Sequence, residues 1–372
     1  MNVSVMQENL ARGLSVVSRA VSTRSTLPVL GNVLIRTEDA GLKLTATNLE
    51  IGITYWVPGK IDTDGAITVP AKLLADIVAG LPSGDRVDLE LQPGDTLRIR
   101  SGRFETHVKG IDAEEFPAIP TAGERPTTRI AQKVLRQALM ETTFAAASDE
   151  ARPILTGILC RFEGAQLTLA AADNYRIAVK IVAILDPVEE TSIVVPARSL
   201  NELSRILSDV DDPVDVVLAP SKNQILFHLE GVDLVSRLID GQFPNYQQVL
   251  PKGHTTRSVM DREDLLKAVR LAALIASSAA NIVKLGVGVD GEPGIVVTAA
   301  AEIGDNEGKV EATIEGDGTT IAFNARYLMD VLQNVQVDQF ALELNGPLSP
   351  GVFRPIGDDT YTHVVMPVRT TS

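Results

Sequence analysis

Three short segments of the chain place a base, and then an acid four residues later, at the start of a predicted helix: Lys72 and Asp76, Arg198 and Glu202, Arg326 and Asp330. As surface ion pairs, each would contribute about 0.3 kcal/mol. A cation in the first turn opposes the helix dipole, and base before acid is the weaker order at this spacing. Helix stability alone would not select the arrangement three times, whereas an external anion accounts for it. No catalytic pattern competes with that reading. His107, His228, His254 and His363 lack metal-ligand spacing, and no Walker-type phosphate loop occurs. The glycines of GVGVDG at 286–291 lead into strand-like GIVVTAA, not into the helix that a dinucleotide site needs. No nucleophile or carboxylate pair comes with a motif, so no catalytic residue, cofactor or metal is expected.

The elements that carry the three base–acid pairs are copies of one another. AITVPAKLLADIVAGLP at 66–82, SIVVPARSLNELSRILS at 192–208 and TIAFNARYLMDVLQNV at 320–335 each read as strand, turn and helix. Their shared alanines, Ala71, Ala197 and Ala325, lie 126 and then 128 residues apart. Hairpin patterns keep the same spacing, at 27–47, 152–172 and, more loosely, 281–301. EEFPAIP at 114–120 is echoed by GQFPNYQQVLP at 241–251. Solenoid and propeller repeats run roughly 20–50 residues, so these longer units are whole domains. Each is expected to open on an amphipathic helix, as in 6–21, where Leu10, Leu14, Val17 and Val21 form one apolar stripe. Two helices per unit must then lie against a sheet, which gives an α+β class.

Charge is segregated between these elements. The six predicted helices (6–21, 70–80, 131–148, 197–208, 261–277 and 324–334) hold eleven Lys or Arg against eight acids, a net +3. The whole chain of 372 residues carries −14, so −17 resides in strands and loops. With the helices lining the inside of an arc, a mildly basic interior and an acidic exterior suit weak, sequence-blind contacts to a polyanion. The single cysteine, Cys160, allows no internal disulfide, and the N-terminus has no signal-peptide pattern. No stretch of about 18 apolar residues suggests a membrane span, and a cytoplasmic location is expected.

In TLPVLGNVLI at 26–35, TVPAK at 68–72, the DxxRxAV stretch Asp173–Val179, LIDGQFPNYQQVLP at 238–251, FNARYLMDVL at 323–332 and VVMPVR at 364–369, the chain resembles the bacterial β sliding clamps, the β subunits of DNA polymerase III. The likeness runs through all 372 residues in order and spacing. It implies three clamp domains, 1–122, 123–251 and 252–372, and a head-to-tail homodimer closed into a six-domain ring around double-stranded DNA. The implied partners are the polymerase III catalytic subunit, the clamp loader, and other replication or repair proteins that dock through short peptide motifs.

Residues expected to face DNA are Arg12, Arg19, Arg24, Lys72, Lys133, Arg136, Arg198, Arg205, Lys267 and Arg326. By the resemblance, the partner pocket is formed by Leu155, Asn174, Tyr175, Arg176, Ile177, Pro244 and Val249, together with Asn324, Tyr327, Leu348, Val364, Met366, Pro367 and Arg369. The dimer seam would bring Thr106 and Val108 of one chain to Leu274 and Ile275 of the other, with Glu302, Asp305 and Glu307 nearby. Tyr175 stands where the family pattern suggests histidine or another residue, Ala172 where it suggests threonine, and Gln247 and Gln248 where it can be basic. The last residues, Thr370 to Ser372, extend past the arginine near which many members stop.

Two features point to the pocket without the resemblance. In the expected repeat register, Glu50 and Ile51 of the first unit fall opposite Arg176 and Ile177 of the second, so an acid has become a base. The run Val364 to Val368 is apolar almost at a terminus, where polarity is usual; its methionine suits a surface that repacks around several peptides. Taken without the resemblance, the residues also allow an acidic, non-DNA scaffold or a carboxylate hydrolase.

Overall fold

The computed structural model describes residues 1–22, 26–38, 41–119, 126–149, 151–219, 223–289 and 293–369. Arg24, the 122/123 domain junction and the extension at 370–372 lie outside them. The six expected helices are present: α1 Gln7–Val17, α2 Ala71–Gly80, α3 Gln132–Thr142, α4 Ala197–Ile206, α5 Arg262–Ala276 and α6 Ala325–Asn334. Helices do not open the repeats, however. Short strands, Asn2–Met6, Thr128–Ala131 and Thr256–Asp261, precede α1, α3 and α5. In the first of these the alternation is already visible, with Val3 and Val5 buried on one face.

The described chain forms two compact units, one of 1–132 with 210–238 and the other of 133–209 with 239–372. Hence the middle repeat contributes strands to both. In the first unit twelve antiparallel strands form one sheet. Phe104–Lys109 lies at one edge, and Val232–Arg237 pairs with Ile51–Thr63 near the middle. α1 packs on this sheet and on α2 through Leu10, Leu14 and Val17, all fully buried. At Gly13 a Cβ would stand 2.9 Å from the Tyr55 ring, so glycine is what lets helix and sheet approach.

In the second unit ten antiparallel strands form the other sheet. The long hairpin Gly157–Ala172 and Arg176–Pro196 joins Tyr361–Val365 of the third repeat. α5 packs against α6 and against the strands Gly294–Ala301 and Gly304–Gly316. GVGVDG therefore begins in a strand, Ile282–Val287, and the next described element is a strand too.

The shared alanines Ala71, Ala197 and Ala325 begin α2, α4 and α6 and are buried at the strand-to-helix corner. One residue on, Lys72, Arg198 and Arg326 are all exposed.

Candidate functional site

The turn between the two long strands of the second unit is fixed by its first residue. The Asp173 carboxylate accepts from the backbone N–H of Tyr175 at 2.7 Å and of Arg176 at 2.9 Å. Its second oxygen accepts from Arg176 Nε at 3.0 Å. The same guanidinium donates to the Phe144 carbonyl at 2.7 Å and to Asp330 on α6, and its carbon lies 4.7 Å from the Tyr327 ring centre. With its side chain only 10% exposed, Arg176 is a clasp between the middle and third repeats, not a free charge.

Around this clasp the structure gathers much of the expected pocket. Leu155, Ile177 and Val364 are buried in one cluster with Ala172 and Phe243, with Tyr246 and Leu250 packed against it. Tyr175 is 55% exposed and stacks on Tyr327 at 5.9 Å. Met366 N–H donates to the Tyr175 carbonyl at 2.7 Å, which draws the C-terminal run along the turn, and Val368 N–H donates to Ala322. Val249, Met366 and Pro244 offer apolar surface beside this floor. Asn174 accepts from Arg152, and the Asn324 side chain caps α6 by accepting from Arg326 N–H. Pro367 is half-buried; Leu348 and Arg369 are exposed and outside the cluster. Burial and the Asp173 carboxylate hold the Tyr327 hydroxyl above its ordinary pKa.

Beneath the clasp lies a buried ionic group with no sequence motif. Lys180 donates to Asp358 at 2.6 Å, and its ammonium lies 2.9 Å from Glu141 of α3. Burial works against the charged lysine, but the two carboxylates carry its pKa above the ordinary value. Next to it, fully buried His363 is pushed down to about 3, by burial first and by the charge of Arg176 second. The available signal was a lysine on the inward-facing side of an apolar strand, in AVKIVAIL.

Three expectations need correction. The hairpin pairs Thr47 with Gly52 and Ala172 with Ile177, so Glu50 corresponds to Tyr175, and Ile51 to Arg176. The break in the repeat is therefore a buried isoleucine replaced by the clasp, not an acid replaced by a base. Second, the Val108 side chain is not at the surface, being 3% exposed and turned into its own core; Phe104, on the same edge strand, is 50% exposed. Thr106 is half-buried, while Leu274 is 69% exposed and Ile275 half-buried. Leu271 and Ile303 are exposed as well.

Third, the helix charges are not all at the surface, although the base–acid pairs, as the sequence reading favoured, do not pair within themselves. Glu202 is held by Arg205 at 3.0 Å and Asp330 by Arg176, and among the described residues no ion pair joins Lys72 to Asp76. Two helix charges leave the surface count as well, since Glu141 is buried and Arg262 donates to the carbonyls of Val337 and Leu332. Of the other expected DNA-facing residues, Arg12 and Lys133 are exposed, and Arg19 and Arg136 half-buried. Lys267 is exposed and paired with Asp264.

Three family models match in succession: the DNA polymerase III beta subunit N-terminal domain over 1–120, its central domain over 129–245 and its C-terminal domain over 247–369. The beta sliding clamp of Synechocystis sp. is 34% identical across 99% of both chains, and that of Synechococcus elongatus 35% identical across 100% of both. Among solved structures, the DNA polymerase sliding clamp of Bacillus subtilis superimposes with a TM-score of 0.93 at 30% identity. The Pseudomonas aeruginosa sliding clamp bound to griselimycin gives 0.92, also at 30%. Both cover the whole of each chain.

Proposed function

The chain belongs to the DNA polymerase III beta subunit family, the bacterial sliding clamps, and from that premise we propose that two copies close head to tail into a ring around duplex DNA. It is a non-catalytic processivity factor of DNA replication. In this reading the three clamp domains span 1–122, 123–251 and 252–372, and the protein works in the cytoplasm. Their helices face the duplex and their strands face outward.

The observation that carries the proposal is the repeated first-turn cation. Lys72, Arg198 and Arg326 are exposed in equivalent places, where they oppose the helix dipole and have no stabilising role within the helix. Phosphate oxygens supply the missing counter-charge. Arg12, Arg19, Arg24, Lys133, Arg136, Arg205 and Lys267 add to this lining. Contacts of this kind hold a duplex without reading its sequence and are weak enough to slide.

Phe104 on the edge strand of the first unit and Leu271, Leu274 and Ile303 of the second supply apolar surface for the seam between chains. Apolar peptides from the polymerase catalytic subunit, the loader and other replication proteins enter the groove around Tyr175, Val249 and Met366. The decisive experiment loads the protein on nicked circular DNA and then cuts the circle. Retention on the circle and release after linearisation are expected; retention on the linear product would refute the ring.

A further inference from the structure

The backbone frame of the groove in the second unit occurs again in the first. We propose that this second groove, around Glu50 and Arg237, binds an extended peptide with an apolar residue between a basic and an acidic one. The inference rests on the partner-groove reading above, because it extends that use to an equivalent frame.

The equivalence is atomic along the main chain. Asn48 does what Asp173 does, its side-chain oxygen accepting from Glu50 N–H at 3.0 Å and Ile51 N–H at 2.9 Å. Arg237 N–H donates to the Glu50 carbonyl at 2.8 Å, as Met366 N–H does to that of Tyr175. Val235 pairs with Gly52 as Val364 pairs with Ile177. Phe116 and Pro117 take the places of Phe243 and Pro244. A cleft of about 230 Å³ lies here, between the 47–52 turn, Pro117–Ile119 and the Val235–Arg237 edge.

The side chains differ in a way that defines the ligand. Ile51 is buried where Arg176 forms its clasp, and a Cβ on Gly52 would stand 3.0 Å from Ile119, so Ile119 fills the place of the Ile177 side chain. The floor is thus apolar. At the rim, Glu50 and Arg237 replace Tyr175 and Met366; both are exposed, and among the described residues neither side chain has a partner. Leu49, 47% exposed, stands beside them at φ 76°, a left-handed backbone that leucine rarely adopts. Two unpaired charges of opposite sign beside an apolar floor are complemented by a peptide with an apolar anchor flanked by opposite charges. The adjoining cleft of about 450 Å³ lacks this availability, because its Lys43 is already held by Glu38 at 2.9 Å and lies over Trp56.

The test is methyl NMR on the full chain, titrated with acetyl-Gly-Lys-Leu-Asp-Gly-amide and with its neutral counterpart acetyl-Gly-Gln-Leu-Asn-Gly-amide. The charged peptide should shift the Leu49, Ile51, Ile119 and Val235 methyls, and the neutral one should bind about fivefold more weakly. Combining Glu50→Gln with Arg237→Gln should remove that difference, while unperturbed core methyls report an intact fold. Equal affinity for both peptides, shifts confined to Ile177 and Val364, or no shift at any of the four methyls would overturn the proposal. A separate titration with acetyl-Gly-Leu-Phe-Gly-amide, read at Leu155, Ile177 and Val364, tests the groove of the second unit alone, so the two failures are distinguishable.

Discussion

The turn at 172–177 and the turn at 47–52 share their hydrogen bonds and differ in what locks the surroundings. In the first, Arg176 reaches Asp173, Asp330 and the Phe144 carbonyl, and Lys180 lies below it between Glu141 and Asp358. In the second, Ile51 and Tyr55 occupy the positions of Arg176 and Lys180, and packing replaces the ion pairs. One backbone frame therefore supports either an electrostatic clasp under an aromatic rim or an apolar floor under a charged rim. Hydrogen bonds set the shape of the groove, and the side chains set its chemistry.

Removing Lys180 should separate the two regions most strongly. Lys180→Met leaves the Glu141 carboxylate, 2% exposed, without its cation. Breaking a buried pair on one side costs about 3 kcal/mol. Calorimetry should show that loss in the transition of the second unit, whereas Tyr55→Phe at the matching position should stay within about 0.5 kcal/mol of the parent. Equal losses in both variants would show that the ionic group adds nothing beyond packing.

Acid should sharpen the same contrast. His363 is held near 3 in the folded chain, against about 6.5 when unfolded. Between those values the unfolded state binds a proton that the folded state does not. The contribution of His363 is therefore complete above about pH 6.5 and is lost as pH falls toward 3, by up to about 1.4 kcal/mol per pH unit. In the first unit, burial would raise the pKa of Asp88, but bonds from Ser4, Arg86 and Arg100 bring it below the ordinary value, so its contribution is lost only in stronger acid. Urea unfolding at pH 7 and pH 5 should weaken the second unit first, and His363→Phe should flatten that response. A first unit that weakens before the second would break the comparison.

The rims should give the smallest effects. Tyr175→Ala forfeits the stack on Tyr327 and should cost about 1 kcal/mol. Leu49→Asn relieves a left-handed leucine and should add about 0.5 kcal/mol, both measured by chemical denaturation. A destabilised Leu49→Asn would mean that the Leu49 side chain packs as part of the fold, not as part of a rim.

Much of this was legible before any coordinates. The spacing of Ala71, Ala197 and Ala325 revealed the repeat, and the repeated strand–turn–helix segments together with the apolar stripe at 6–21 led to the six helices, because helix periodicity is a local property. Leu155, Ile177 and Val364 were named through the family resemblance, and they share one buried cluster. The strands ahead of α1, α3 and α5 escaped notice, since four to six residues give too little alternation to register against a following helix. The repeat register slipped by one position at Glu50 because similar residue types can be matched in two ways, and only the pairing of Thr47 with Gly52 decides between them.

What the sequence determined by itself is whatever depends on neighbours along the chain: the helices, the hairpins, the threefold unit and the cations that begin α2, α4 and α6. Tertiary structure alone decided which charges remain available. Arg176 and Lys180 are bound by carboxylates more than 150 residues distant, at Asp330 and Asp358, while Glu50 and Arg237 are left unpaired among the described residues. Whether a charge is a clasp or a contact depends on burial and on partners brought together by folding, and neither is encoded in local spacing.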